Sequence, residues 1–195
     1  MQTKYHKTNK LGQVSDPSVP VCWDMGSDTC PKYEHIVHPF LPLYDENSTI
    51  LILGSLPSVK SREQMFFYGH PQNRFWKVIA ALAGEDVPTE IEKKKALLHK
   101  HHIALWDTIY SCDIVGSSDS SIKNVVPTDI MPIIRNSKIT RVFCNGSTSG
   151  KYYKRYQQKD TGIEAVVLPS TSPANAAFSL EKLIKAWNIG LGTSG

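Results

Sequence analysis

The chain has 195 residues, of which 41% are hydrophobic and 21% charged, with a formal net charge of +4. That length allows one domain with a full core, and no apolar run reaches the roughly 20 residues that span a bilayer. The mildly basic balance admits a polyanionic partner without demanding one.

Residues 1–34 are polar, rich in Pro, Ser, Asp and Lys, and show no sustained period. They read as an extension or mobile arm, part of which Trp23 is expected to dock on the body. The start, "MQTKYHKTNKLGQ", has no apolar stretch of the secretory kind, so an intracellular protein is expected, in cytoplasm or nucleus according to the organism. The cysteines, Cys22, Cys30, Cys112 and Cys144, lack the paired spacing of a zinc site, and reduced thiols are the expectation. "CWDMGSDTC" keeps Cys22 and Cys30 as a weak metal alternative. Residues 35–190 read as one domain and 191–195 as a frayed tail.

Strand and helix patterns then alternate. "STILILGS" is a continuous apolar run, the mark of a strand covered on both faces of a parallel sheet. "NRFWKVIAALAG" places Phe75, Val78, Ile79 and Leu82 on one helical stripe that Gly84 stops. "EIEKKKALLHK" is a second helix with a solvated basic face, and "HIALW" a strand after it. "DIMPIIRN" is a short helix, "ITRVFCNG" the third strand, "GKYYKRYQQ" a helix and "IEAVVLPS" the fourth strand. A last helix runs through "NAAFSLEKLIKAWN", with Ser172 and Pro173 as its expected N-cap and first position.

This order predicts a three-layer α/β/α domain around a central, mostly parallel four-stranded sheet. Ligands bind such sheets at the carboxyl ends of the strands. The segments there read "GSLPS…FFYGHPQNRFW", "WDTIYSCD", "NGSTSG" and "PSTSPAN". The first is the informative one: three aromatics, a histidine, an asparagine and an arginine stand where a short turn would do. "NGSTSG" is expected to be an ordinary turn, Asp113 and Asp119 turn residues, and Asp107 either a pocket wall or a tie that accepts main-chain N–H bonds.

"LILGSLPS", then "YGHPQNRFWKVI", then "LPSTSPAN" resemble the uracil-DNA glycosylase superfamily. "HPFLPLYDENSTILILGSLPS" is most similar to its hypoxanthine (deoxyinosine) DNA glycosylase branch, and the resemblance covers roughly residues 38–189. One departure is plain. Relatives carry a water-activating Asn or Asp in the first motif, and here Gly54-Ser55-Leu56-Pro57-Ser58 has Leu56.

The resemblance implies that Asn73, in His70-Pro71-Gln72-Asn73, takes over catalysis. The bare residue pattern allows Asn73 to be only a helix cap. Tyr68 matches the position that stacks the flipped base, and its place beside Gly69 predicts exposure. Gly54, Ser55, Leu56 and His70 are the other expected base-binding residues, although His70 suits a structural role as well. Ser58, Ser170, Thr171 and Ser172 are the expected DNA-backbone contacts, with Ala174 as a small wedge.

No cofactor, no metal and no lysine nucleophile are implied. The expected protein is a monomeric, monofunctional glycosylase acting on DNA with a deaminated base, away from membranes. Hypoxanthine is the first substrate expected. A uracil- or mismatch-directed enzyme of the same fold, and an inactive binder of damaged DNA, are the alternatives.

Overall fold

The computed structural model describes residues 32–189, so Trp23, Cys22, Cys30 and the terminal "GTSG" lie outside the described residues. The first half runs β1 (Glu34–Val37), β2 (Ile50–Gly54), α1 (Val59–Gln64), α2 (Phe75–Ala83), α3 (Ile91–Lys100), β3 (Ile103–Asp107) and β4 (Ile109–Ile114). A 3-10 turn at Asp119–Ser121 leads to β5 (Lys123–Pro127), α4 (Met131–Arg135), β6 (Arg141–Asn145) and α5 (Ser147–Tyr156). Then follow α6 (Gln158–Thr161), β7 (Ala165–Leu168) and α7 (Leu180–Ala186).

The four segments expected as strands form one parallel sheet in the order β3-β2-β6-β7. Ile50 faces Ile103 on one side and Arg141 on the other, and Val142 faces Ala165. All five residues of β2 and of β3 are buried, because both strands are covered on both faces and have no polar side to spare. Phe75, Val78 and Ile79 bury the stripe of α2, which ends at Gly84 with φ 68°, a left-handed cap that suits glycine. Leu183 and Trp187 carry α7 and the turn after it into the same core.

A second sheet, β1-β4-β5, is antiparallel and was not anticipated. Its strands are short and mix polar with apolar residues, and Ile109, Cys112 and Ile114 of β4 join Tyr152 of α5 in a separate small core. Asp113 belongs to β4 rather than to a turn: its carboxylate bonds the His35 ring and accepts from Asn124.

Two boundaries differ from the sequence reading. "NGSTSG" is the entry to a helix, since α5 already begins at Ser147 after Gly146, whose φ is 97°. The last helix starts later than expected, at Leu180, and its N-cap is Ser179, whose hydroxyl accepts from Lys182 N at 3.3 Å. Ser172 and Pro173 therefore cap no helix. Ser172 Oγ accepts from Ala174 N instead, within a turn stretch that outside contacts hold away from helical form.

Candidate active site

The carboxyl ends of all four parallel strands open onto one cavity of about 820 Å³. β2 contributes Gly54, β3 Asp107, β6 Asn145 and β7 Leu168, so the sheet itself builds the floor. Gly54 is required there. A Cβ at this position would stand 2.1 Å from Asp107 Oδ1 and 3.4 Å from Tyr68 Oη.

Beyond Gly54 the chain passes Ser55, Leu56 and Pro57, all lining the cavity, and enters α1. Ser58 caps that helix by accepting from Ser61 N at 3.3 Å. Ser61 is buried, and its hydroxyl accepts from Gly69 N at 3.0 Å, which anchors the aromatic segment on α1. Phe66 and Phe67 go into the core, and Trp76 Nε1 donates to Phe67 O.

Tyr68 lines the cavity but is not the exposed ring that the sequence suggested. It is half-buried, has φ 51°, and stacks on Phe75 with centroids 3.8 Å apart and planes 18° from parallel. Its hydroxyl is buried and has no hydrogen-bond partner among the described residues. Burial, and then the nearby Asp107 carboxylate, raise its pKa above the ordinary phenol value, so the group stays a donor.

Asn73 also lines the cavity. Its Oδ1 accepts from Phe75 N at 3.0 Å. A main-chain N–H can only donate, so the atom bound to it is the oxygen and the orientation of the amide is settled by chemistry. Nδ2 meets no acceptor among the described residues. The side chain, one residue before the N-cap Arg74, thus closes a turn onto the first N–H of α2 and keeps a donor in reserve.

His70 is not among the cavity residues. Its Nδ1 accepts from Gln72 N at 3.2 Å and its carbonyl accepts from Asn73 N at 2.9 Å, so it shapes the turn that presents Asn73.

The last loop is arranged otherwise than the hydroxyl count suggested. Thr171 is fully buried, with its N–H donating to Asn145 Oδ1 and its Oγ1 accepting from Asn145 Nδ2, both at 2.9 Å. Its hydroxyl is spent inside the protein and does not face DNA. Ser170 and Ser172 are partly exposed at the cavity wall, and Ala174 is exposed at its rim.

Asp107 lines the floor, yet its carboxylate accepts no main-chain N–H among the described residues. Oδ2 pairs with His38 Nε2 at 2.9 Å, both side chains being almost wholly buried. No site role is legible in the sequence for His38, nor for Arg62 and the Gly116–Ser120 stretch that line the cavity. Nothing local marks them, because they reach the site only through the fold. Among the described residues no cluster of His, Cys, Asp or Glu could hold a metal ion, and no helix is long and apolar enough to cross a membrane.

A parallel sheet thus floors the cavity, with an amide and an aromatic at one wall and a hydroxyl-bearing loop at the other. The Uracil DNA glycosylase superfamily model matches residues 41–189. A hypoxanthine DNA glycosylase of Methanosarcina acetivorans is 37% identical over 142 residues, 72% of this chain and 89% of that protein. One of Methanosarcina barkeri is 34% identical over 155 residues, 76% of this chain and 93% of that protein. A solution NMR structure from M. acetivorans, described as a candidate uracil DNA glycosylase, superposes with a TM-score of 0.67 at 34% identity, covering 77% of this chain and 94% of the other. The chain belongs to the uracil DNA glycosylase superfamily, and so to the enzymes that hydrolyse the bond between a base and its deoxyribose.

Proposed function

We propose that the protein removes hypoxanthine from deoxyinosine in DNA, with Asn73 as its catalytic residue and Tyr68 as the ring against which the flipped base rests. The activity carried in the names of the two Methanosarcina relatives supports the substrate. The observation that carries the site is the fixed Asn73 amide. With Oδ1 held by Phe75 N, Nδ2 is the donor left to the cavity.

Breaking the glycosidic bond leaves positive charge on the sugar and negative charge on the departing base. A donor aimed at that base stabilises the charge as it develops. The second lone pair of Asn73 Oδ1 can accept from a water, so one carboxamide serves leaving group and water alike. This is how the site does without a polar side chain at Leu56. Phe75 backs one face of Tyr68, and the base takes the other, a contact worth roughly 1–3 kcal/mol. Ser170 and Ser172 bind backbone phosphates at the mouth, and Ala174 enters the gap that the flipped nucleotide leaves. So small a wedge plugs an intact stack weakly, which favours mismatched or single-stranded targets.

Abasic-site formation on oligonucleotides containing deoxyinosine, deoxyuridine or deoxyxanthosine tests the reading. The expected result is fastest release of hypoxanthine, with an intact strand until alkali is added. Fastest release of uracil would reassign the substrate, and DNA binding with release of no base would make the protein a binder.

A further inference from the structure

The cavity has one cation among its described lining residues, Arg62, and the scheme above gives it no task. Two carboxylates share the lining, Asp107 and Asp119. Asp107 is taken by His38, and Asp119 faces the side chain of Thr148. Among the described residues neither forms an ion pair with Arg62.

Arg62 stands one turn along α1 from Ser58, with its main-chain N–H donating to Ser58 O at 2.9 Å. Ser58 was the expected DNA-backbone contact of this segment, but its hydroxyl is engaged by Ser61 N at 3.3 Å and Ser61 Oγ at 3.1 Å. Arg62 is half-buried, and its Nη1 donates to Pro57 O at 3.1 Å. Nε and Nη2 meet no acceptor among the described residues. A guanidinium presents these two groups side by side, as a fork that fits two oxygens of one phosphate. With Nη1 tied to the main chain, the fork is held in place and has no protein acceptor.

The wall around it comes from the second sheet. The turn between β4 and β5 lines the cavity from Gly116 to Ser120, and the hydroxyl-bearing Ser117, Ser118 and Ser120 are exposed along it. Leu56 packs on the small core that β4 forms with Tyr152. This accounts for an apolar side chain at the first-motif position where the resemblance expects Asn or Asp. Leu56 fastens the second sheet to the Gly54–Ser58 loop, whose Pro57 carbonyl Arg62 holds.

We propose that Arg62 binds a phosphodiester of the damaged strand beside the flipped nucleotide, with the serine hydroxyls of the β4–β5 turn completing the contact. This goes beyond the proposed function and rests on its reading of DNA as the substrate. The hydroxyls of Ser170 and Ser172 can bond a phosphate but cannot neutralise one. Arg62 does both. Phosphate contacts fix register and orientation on the strand, so this one holds the flipped nucleotide in register with Asn73.

The test uses duplexes containing 2′-fluoro-2′-deoxyinosine, whose fluorine disfavours positive charge on the sugar and keeps the base attached. Affinity is then read without turnover. Phosphates on either side of that nucleotide are replaced one at a time by neutral methylphosphonates. The parent is expected to lose about tenfold or more in affinity at one position. Arg62→Gln, whose amide can still donate to Pro57 O, should bind ordinary DNA more weakly by about the same factor. It should show no further loss at that position and keep the parent's losses elsewhere. Its log affinity should fall with log salt less steeply, by about 0.9 in slope. Arg62→Lys should restore the slope without the full affinity. Lys159→Gln, on α6 and outside the cavity lining, should keep the parent's slope.

Methylphosphonate losses that add undiminished to that of Arg62→Gln at every position would overturn the proposal. So would an equal change of slope in Lys159→Gln, which would trace the effect to net charge. Slower base release from ordinary deoxyinosine, with affinity and slope kept, would assign Arg62 to the departing base and overturn it as well. If Arg62→Gln does not fold, Arg62→Lys decides: the coupling at that one phosphate should shrink by at least about threefold, and undiminished coupling would be fatal. A parent protein that binds DNA but releases no hypoxanthine would sink the proposed function, while the phosphate coupling would still decide the role of Arg62.

Discussion

Arg74 donates twice to one carbonyl of the opposite loop: its main-chain N–H reaches Thr171 O at 3.1 Å and its Nε the same oxygen at 3.3 Å. Nη1 donates to the carbonyl of Phe178, and Nη2 to those of Ser172 and Asn175. One cation, next in sequence to Asn73, therefore holds the segment from Thr171 to Phe178, the loop proposed to face DNA. This is why that stretch is not helical: its carbonyls are turned toward Arg74 and away from a helical ladder.

Hydrogen bonds to a charged donor contribute about 1.5–3 kcal/mol each, and these act on a single short loop. Arg74→Ala is expected to lower unfolding free energy by about 2–4 kcal/mol and to weaken DNA binding and turnover together. Arg74→Lys should recover little, since a compact ammonium cannot span four carbonyls as the planar fork does. Chemical denaturation and DNA affinity of the two variants check this. A lysine variant equal to the parent would show that charge alone holds the loop.

Gly54→Ala puts a methyl group where Asp107 Oδ1 now lies. Because His38 pins the other carboxylate oxygen, Asp107 yields by leaving the floor. Misplacement of about 1 Å at a reacting centre can cost on the order of 10²-fold in rate. The variant should therefore fold and retain DNA binding while base release falls by about that factor. Circular dichroism with single-turnover kinetics tells this from simple unfolding.

Cys144 is fully buried on β6, and burial pushes its thiol up to about 11 from an ordinary 9.0, against a smaller opposing effect of Ser149. The folded protein thus keeps a proton that the unfolded chain loses as pH passes 9. Stability from this thiol is complete below that pH and is lost as pH rises toward 11. The full loss is about 2–3 kcal/mol. Between about pH 8 and about pH 11, Cys144→Ala should lose stability less steeply than the parent in urea unfolding. Parallel slopes would mean that the thiol does not contribute to alkaline destabilisation.

Much of the fold is legible in the chain because the four sheet strands are continuous apolar runs, and Phe75, Val78 and Ile79 keep a helical period that ends on Gly84. The second sheet is not, since β1, β4 and β5 take their apolar residues from scattered positions and Asn124 at φ 51° breaks the alternation. Helix α1, "VKSREQ", has Val59 followed by five polar residues and so no stripe to see. Asn73 and Tyr68 were marked by an unusual local concentration of aromatic and amide side chains. His38 and Asp107 are 69 residues apart, and each alone looks like any other His or Asp. Thr171 misled for the opposite reason: a row of hydroxyls looks like a phosphate site until the fold turns one of them inward onto Asn145.

Asn73 does two things that different substitutions separate. Its Oδ1 caps Phe75 N, and its Nδ2 is the donor proposed to act on the departing base. Asn73→Asp keeps an oxygen for the cap and removes the donor. It also places negative charge where negative charge develops on the base. Asn73→Ala removes both functions. Loss of a cap costs about 1 kcal/mol, whereas loss of one donor to a developing anion costs about 10²–10³-fold in rate. The expected pattern is parent-like stability for Asn73→Asp, a drop of about 1 kcal/mol for Asn73→Ala, and severe loss of base release in both with DNA affinity nearly kept. Thermal unfolding and single-turnover release measured on the same samples decide it. An aspartate variant that is stable and still active would confine Asn73 to its cap and send the search for the catalytic donor back to Tyr68 and the floor.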